Sequence, residues 1–296
     1  MGTNGLRAYD GAVAIVTGGG SGIGRALSRA LAARGAVVTI ADKNTAGAEE
    51  TAAMIAADGG KASAVSLDVT DFDAVKNLVN ETAQQHGRLD YMFNNAGIGA
   101  GGPIHRFKME HWTRVLDVNL MGVIHGVQAA LPVMSAQGFG HIVNTSSMGG
   151  ILPMPLATSY IASKFAVLGL SLTIRIEAMD NNVRVSALCP GVIRTPILHA
   201  KGENINLFNV LPEDADDLWK QLRPMDPDRF ATNVLKKVAR NQPVIIEPAW
   251  WRIFWWIYRL SPDLSMALHR WHYNMEMKKL PAREQRAENA GQKLQL

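Results

Sequence analysis

Two residues whose chemistry suits proton transfer, Tyr160 and Lys164, stand four positions apart. The surrounding sequence has a strong helical pattern, and residues with this spacing lie on one face of a helix. A lysine ammonium near a phenol stabilises the phenolate and lowers the tyrosine pKa from about 10 towards neutral pH. The pair therefore predicts a general base, although the same spacing also occurs on helices with only a structural role.

A glycine-rich turn provides a second candidate site, for a phosphate group. Residues 17–24 read TGGGSGIG, after an apolar run and before a helical pattern. Free N–H groups at a helix N-terminus attract a pyrophosphate, and glycine allows a close approach to the backbone. The spacing is T-G-x-x-x-G-x-G rather than the general dinucleotide pattern G-x-G-x-x-G. A tight turn without a ligand is the alternative interpretation.

An acidic residue, Asp42, ends the second predicted strand at about the distance from the glycines where a ribose-binding carboxylate is expected. Its negative charge would repel a 2′-phosphate, and Ser21 stands where an arginine could receive that phosphate. The adjacent Lys43 acts in the opposite direction. These residues favour NAD as the cofactor over NADP. The alternative is that Asp42 only caps a helix or ends a strand.

The elements that must position these residues alternate along the chain. Short apolar runs predict strands at residues 12–16, 37–40, 64–67, 91–93, 142–143, 183–188 and 244–246. Helical patterns begin near residue 23 and cover residues 45–57, 71–85, 111–134, 157–179 and 227–240. This alternation predicts an α/β fold with a Rossmann-like, doubly wound parallel sheet in a single domain.

We expect three regions along the chain. Residues 1–248 form the Rossmann-like domain, with a loop-rich stretch at 196–227 that carries Leu198, Leu207, Phe208 and Leu211. Residues 249–280 form an aromatic-rich, helical C-terminal extension. Residues 281–296 are polar and are predicted to form a mobile tail.

Composition excludes several classes of protein. The chain has 296 residues, of which 47% are hydrophobic and 19% charged, as in a folded protein with a large core. Residues 241–296 hold eight Lys/Arg against five Asp/Glu, so the body is nearly neutral and nucleic-acid binding has little support. The apolar stretch 249–260 contains Arg252 and is shorter than the roughly 20 residues that span a bilayer.

Cysteine and histidine usage predicts neither disulfides nor metal. The single cysteine, Cys189, cannot form an internal disulfide, and it resembles a buried strand-end residue without a catalytic role. His105, His111 and His199 lack metal-ligand spacing. The N-terminus lacks a secretory pattern, so we expect a cytoplasmic protein.

Taken together, the motifs resemble those of the short-chain dehydrogenase/reductase family, in its smaller single-domain branch. The resemblance covers residues 12 to about 195 and is compatible to about residue 246. It is carried by the glycine turn, Asp68-Val69, Asn94-Asn95-Ala96-Gly97, Asn119, Ser146-Ser147, Tyr160-Ile161-Ala162-Ser163-Lys164, and Pro190-Gly191 with Thr195.

The resemblance implies a role for each catalytic residue. Tyr160 would exchange the proton, while Lys164 would lower the pKa of Tyr160 and hold the nicotinamide ribose. Ser147, thirteen residues before Tyr160, would bind the substrate oxygen, and Ser146 is the less suitable candidate. Asn119 would hold a water that links Lys164 to a proton relay. Asn119 lies in an apolar stripe, so a paired core amide is its alternative role.

The resemblance also implies a set of cofactor contacts. Asp68 and Val69 would contact adenine, Asn95 and Gly97 would support the cofactor, and Ile193 and Thr195 would bind its carboxamide end. The full set of predicted cofactor-binding residues is Gly18, Ser21, Gly22, Ile23, Gly24, Asp42, Asp68, Val69, Asn95, Gly97, Tyr160, Lys164, Pro190, Gly191, Ile193 and Thr195.

These assignments predict an oxidoreductase that interconverts a secondary alcohol and its ketone. A set of apolar residues near the inferred site favours a hydrophobic substrate. They are Ile98, Met148, Ile151, Leu152, Met154, Leu156, Leu198, Leu207 and Phe208. The alternatives are an NADPH-dependent ketone reductase and a non-catalytic, nucleotide-binding regulatory protein on the same fold.

Two kinds of contact with larger partners are expected. The resemblance implies a homodimer or homotetramer formed through the helices that carry Asn119 and Tyr160. Five of the seven tryptophans lie in residues 250–271, mixed with arginines. That segment is predicted to pack at a subunit interface or at the mouth of the active site. Peripheral membrane contact is its alternative role.

Overall fold

The computed structural model describes residues 5–198, 204–208 and 222–289, and its centre is a sheet of seven parallel strands. The order is β3-β2-β1-β4-β6-β7-β9. The strands are β1 Val13–Thr17, β2 Val37–Asp42, β3 Lys61–Ser66, β4 Tyr91–Asn94, β6 Gly140–Thr145, β7 Val183–Pro190 and β9 Val244–Glu247. The predicted Rossmann-like sheet is therefore confirmed.

Helices cover both faces of this sheet. They are α1 Gly22–Ala32, α2 Thr45–Ala57, α3 Phe72–His86, α4 Met109–Leu116, α5 Gly122–Gln137, α6 Thr158–Glu177, α7 Pro227–Ala239, α8 Arg252–Leu260 and α9 Pro262–Asn289. Strand β1 is buried along its whole length because both of its faces are covered. Its residues alternate between two cores: Ala14 and Val16 belong to one, and Val13 and Ile15 belong to the other.

The strand order places a crevice at the carboxyl edge of the sheet. Strand β1 pairs with β2 on one side and with β4 on the other. The chain therefore builds outwards in two directions from β1, and ligands of such sheets bind where the order reverses. The loops after β1 and β4 border this crevice.

Residues with typical capping preferences mark the ends of several helices. Asn44 caps α2, Asp71 caps α3, and Asp226 caps α7, each by accepting hydrogen bonds from backbone N–H groups. Helix α3 ends at Gly87, which has a left-handed φ of 68°. Helices α4 and α5 are joined by a π-helical turn, Asp117–Met121, into one continuous stretch.

By length and composition, the stretch Met109–Gln137 would be able to cross a membrane, with a mean hydropathy of 1.3. Nearly half of its most apolar window is buried inside the protein. Its residues Val123, Val127 and Met134 pack in the core beneath the sheet. Such burial is typical of a core helix in a folded domain.

Two features of the fold were not predicted from the sequence. A second, two-stranded parallel sheet pairs β5 Ala100–Gly101 with β8 Ile205–Asn206 and brings distant loops together. In addition, α9 continues through Pro281 to Asn289, into the segment predicted to be a polar tail. Residues 282–288 are mostly strong helix formers, Glu284 pairs with Arg106, and Ala287 is buried. His199, Leu211 and residues 290–296 lie outside the described residues.

Candidate active site

A large cavity of about 1430 Å³ lies at the carboxyl edge of the sheet. The glycine turn, the loop after β4 and the loop after β7 line one end. Helix α6, which carries Tyr160 and Lys164, lines the same end, and helices α8 and α9 line the other. Ser147, Tyr160 and Lys164 all face it, so the structure brings the predicted proton-transfer residues and the predicted cofactor residues into one space.

Tyr160 and Lys164 lie on the same face of α6, as their spacing predicts. The Lys164 Nζ lies 5.6 Å from the centroid of the Tyr160 ring, and it donates a hydrogen bond to the carbonyl oxygen of Thr145 at 2.9 Å. Ser147 follows β6, and its hydroxyl accepts the N–H of Gly149 at 3.0 Å while it forms a hydrogen bond with Tyr160. The Ser147 hydroxyl is therefore held next to the Tyr160 phenol.

The pKa of Tyr160 differs from the sequence-based prediction. Burial raises the pKa of its hydroxyl, and the hydrogen bond with Ser147 opposes that rise. Burial also lowers the pKa of Lys164 to about 8. The Tyr160 pKa therefore moves in the direction opposite to the predicted depression, because removing the phenolate from water is the largest effect.

Asn119 acts from behind the cavity wall. Its Oδ1 accepts the N–H of Ile98 at 2.8 Å, and its Nδ2 donates to the Ile98 carbonyl at 3.0 Å and to Ser163 Oγ at 3.3 Å. A Cβ at Gly97 would lie 3.1 Å from this Oδ1 and 3.4 Å from Lys164 Nζ. The amide thus holds the loop after β4 against α6, which is the paired core role.

The glycine turn fits an anionic ligand. Gly18 and Gly22 have positive φ values of 64° and 51°, which favour glycine. Helix α1 begins without a side-chain cap, unlike helices α2, α3 and α7, and it has no acidic residue in its first turn. Its N–H groups are therefore available to a pyrophosphate. Gly24 serves packing instead, because a Cβ there would overlap the Gly18 carbonyl.

Strands β1 and β4 are joined at the floor of this turn. Thr17 Oγ1 accepts the N–H groups of Asn95 and Ala96 at 3.0 and 3.1 Å, and Asn95 Nδ2 donates to the Thr17 carbonyl at 3.0 Å. Asn95 also faces the cavity. These hydrogen bonds between side chains and backbone fix the shape of the crevice in advance, which is the preorganisation that a cofactor site needs.

Asp42 faces the cavity at the end of β2. Its Oδ2 accepts the N–H of Gly20 at 2.8 Å, and its Oδ1 accepts the N–H of Asn44 at 2.8 Å. These bonds fix the carboxylate beside the glycine turn. The neighbouring Lys43 Nζ pairs with Asp68 at 2.9 Å.

The other predicted cofactor residues also reach the cavity. Thr195 packs closely against the glycine turn. A side chain at Gly22 would be crowded, because its Cβ would lie 3.1 Å from the Thr195 Cβ. Those that line the cavity are Gly18, Ser21, Gly22, Ile23, Asp42, Asp68, Val69, Asn95, Gly97, Tyr160, Lys164, Pro190, Gly191, Ile193 and Thr195.

Seven of the nine apolar residues predicted near the site line the cavity, together with charged residues such as Glu276 and Arg283. Ile98, Met148, Leu152, Met154, Leu156, Leu198 and Phe208 line the cavity. Ile151 and Leu207 do not line it, because both are buried by protein. Among the described residues, no group of His, Cys, Asp and Glu is arranged to hold a metal ion.

The C-terminal helices supply site residues that were not predicted individually. Trp251, Phe254, Leu268 and Tyr273 line the cavity. The buried indole N–H of Trp251 has no hydrogen-bond acceptor among the described residues. The density of aromatic residues in 250–271 was the sequence signal for this wall.

A Rossmann-like sheet with an uncapped glycine turn and a Tyr-Lys pair in one cavity defines a dinucleotide-binding oxidoreductase site. The family description "short chain dehydrogenase" matches residues 12–206. The chain belongs to the short-chain dehydrogenase/reductase family of oxidoreductases.

Similar proteins agree with this assignment. The probable oxidoreductase EphD of Mycobacterium tuberculosis is 37% identical to this chain. The matched region covers 77% of this chain but only 40% of the length of EphD. The putative oxidoreductase SadH of the same organism is 32% identical over 81% of the chain and 87% of SadH. A short-chain dehydrogenase/reductase from Burkholderia phymatum, solved in complex with NAD, is 29% identical with a TM-score of 0.79, covering 88% of this chain and 96% of that one.

Proposed function

We propose that the protein is an NAD-dependent oxidoreductase that interconverts a hydrophobic secondary alcohol and its ketone. The observation that carries this proposal is the convergence of Ser147, Tyr160 and Lys164 on the cavity that the glycine turn also lines. A bound nicotinamide would supply the hydride acceptor or donor at this position.

The side chains provide a proton path for this reaction. In the direction of oxidation, the ionised Tyr160 oxygen accepts the proton of the substrate hydroxyl, and the Ser147 hydroxyl donates a hydrogen bond to the alkoxide that develops. Lys164 contributes positive charge beside the phenol when protonated, and it would hold the nicotinamide ribose. Asn119 keeps the Gly97 loop and Lys164 in position.

Electrostatics at the adenosine end support NAD rather than NADP. The Asp42 carboxylate stands where a 2′-phosphate would lie and repels it. The two nearby cations are already paired, Lys43 with Asp68 and Arg25 with Glu50. The related B. phymatum structure, which contains NAD, adds support.

The same proposal includes a homodimer or homotetramer. Helix α6, which carries Tyr160, exposes Leu172 and Ile176, and Met179 is exposed just beyond its end. Exposed apolar side chains on the outer face of a long helix are typical of subunit contacts. Sedimentation velocity at micromolar concentration tests this part, and a monomer would contradict it.

An absorbance assay tests the reaction. The purified protein is mixed with NAD or NADP and a panel of steroids, terpenols, aryl carbinols and aliphatic alcohols, and nicotinamide absorbance is followed. We expect reduction of NAD with at least one apolar secondary alcohol. If NAD binds but neither it nor NADP reacts with any alcohol or ketone, the non-catalytic alternative replaces this proposal.

A further inference from the structure

The outer face of α8 is apolar although it faces solvent. The inner face of the helix packs Trp251, Trp255 and Tyr258 against the core. On the opposite side, Ile253, Trp256 and Leu260 are 62%, 51% and 80% exposed. An ordinary surface helix places polar residues on that side, so this face is adapted to an apolar environment.

Helix α9 continues the same exposed surface. Leu264, Leu268, Trp271 and Met275 recur at a spacing that places them on one stripe, and all four are exposed. Together with Ile253, Trp256 and Leu260 they form what we call the α8–α9 surface. A contiguous apolar patch of this kind marks an interaction site.

Arginines border this surface. Arg252 and Arg259 lie seven positions apart on one edge of the α8 stripe, and Arg270 precedes Trp271 on α9. None of the three forms a salt bridge with a residue that the structure describes; Arg259 packs over the Trp255 ring at 5.4 Å. The surface therefore combines exposed aromatic rings with cations that have no acidic partner in the described part of the chain.

The active-site cavity opens at this surface. Phe254, Leu268 and Trp271 line the cavity and are also exposed to solvent. The mouth of the cavity thus lies among the apolar side chains that the arginines border.

We propose that the α8–α9 surface docks on an anionic lipid bilayer. Tryptophan favours the boundary between apolar and wet surroundings, and arginine at the same level pairs with lipid phosphate. A second copy of the chain fits less well, because it would bring six arginines without partners into one interface. The α6 face offers a separate apolar surface for self-association.

Docking in this way places the cavity mouth at the lipid. An apolar alcohol dissolved in the bilayer then reaches the site without crossing water. Only this last step rests on the proposed function, since docking requires neither a cofactor nor a substrate.

Vesicle flotation of the full-length protein tests the docking without any measurement of activity. The vesicles contain phosphatidylcholine alone or equal parts of phosphatidylcholine and phosphatidylglycerol, at low and high salt. We expect binding to the anionic vesicles at low salt and weaker binding at high salt. Replacing Arg252 and Arg259 by glutamine is expected to weaken binding by about fivefold per arginine.

A second variant separates apolar insertion from charge. Ile253→Ser, Trp256→Ser and Leu260→Ser together are expected to weaken binding at least about a hundredfold. The matched control, Ile104→Ser with Met109→Ser, changes residues that are also exposed but lie outside this surface, and it is expected to bind as wild type does. Circular dichroism confirms that each variant is folded.

Three results would overturn the proposal. The first is an absence of flotation with anionic vesicles at low salt. The second is unchanged flotation of the triple serine variant. The third is a triple serine variant that loses an oligomeric state which wild type keeps, because the α8–α9 surface would then bind a second copy. A failed absorbance assay with successful flotation would contradict only the proposed function.

Discussion

The two ends of the cavity are held by different kinds of contact. At the cofactor end, backbone N–H groups and short polar side chains such as Thr17 and Asn95 join neighbouring strands. At the other end, α9 is held by packing and by an ion pair between distant residues, Arg106 and Glu284. The first end is determined by local motifs on a rigid sheet, and the second by contacts that depend on the whole fold.

This difference assigns catalysis to one end of the cavity and the choice of substrate to the other. The glycine turn, Ser147 and the Tyr-Lys pair belong to the rigid end, where small displacements are costly to catalysis. Helices α8 and α9 form the helical wall of the other end, which supplies apolar surface and borders the mouth of the cavity. Changes at the rigid end should therefore affect turnover and cofactor choice, and changes in the wall should affect the use of apolar substrates.

Replacing Tyr160 by phenylalanine should have the largest effect on turnover. The ring remains but the proton acceptor is lost, so kcat is expected to fall about a thousandfold while the dissociation constant for NAD changes little. The matched control is Tyr273→Phe in the helical wall of the same cavity. Near-normal turnover of the Tyr160 variant would assign the base to another residue.

The buried Lys164 makes stability depend on pH. Its pKa is lowered to about 8 from 10.5 in the unfolded chain, so the folded protein binds fewer protons between these values. The free energy of unfolding therefore rises with pH in this window, by up to about 1.4 kcal/mol per pH unit. Below pH 8 the cost of burying the ammonium is fully present.

Denaturant unfolding of wild type and of Lys164→Met at pH 7 to 10 measures how the free energy of unfolding depends on pH. The variant should lack the rise, so wild type gains stability relative to it as pH increases. Cys189, whose pKa is raised to about 12 by burial, acts in the opposite direction above pH 9 in both proteins. Lys278→Met on the exposed side of α9 is the control. Parallel pH profiles would show that the lysine is not desolvated.

Much of the rigid end could be predicted from the sequence because its signals are local. Most strands of the main sheet contain a short apolar run, and the glycine turn directly joins β1 to α1. The cofactor residues follow strand ends, so the parallel order alone brings them to one edge. Among the described residues predicted to be catalytic or to bind the cofactor, Gly24 and Asn119 are the two that do not line the cavity.

The features that were missed depend on distant contacts. The β5–β8 pairing needs two loops about 100 residues apart in the sequence, and neither loop has a strand pattern long enough to detect. The pairing of Glu284 with Arg106 and the burial of Tyr160 are likewise properties of the folded chain. Sequence composition identified the aromatic segment but not which of its faces would be buried.

Asp42→Ala should change cofactor choice at the rigid end. Removing the carboxylate relieves the repulsion of a 2′-phosphate and removes an acceptor for the ribose, so the ratio of kcat/KM for NAD over NADP is expected to fall about tenfold. Asp58→Ala, an acidic surface change in the same half of the protein, is the control. A wild-type preference for NADP would show that Asp42 does not select the cofactor.

The smallest effect is expected in the wall, from Glu284→Gln. The carboxylate pairs with Arg106, which also donates to the Leu207 carbonyl beside the cavity at 3.1 Å. Both partners are partly exposed, so the loss of the pair should loosen α9 without unfolding the domain. We expect KM for an apolar alcohol to rise about two- to fivefold with kcat unchanged. The control is Glu288→Gln, on the exposed face of the same helix. If kcat falls as well, the wall helps to position the reacting atoms, and the separation between the two ends of the cavity does not hold.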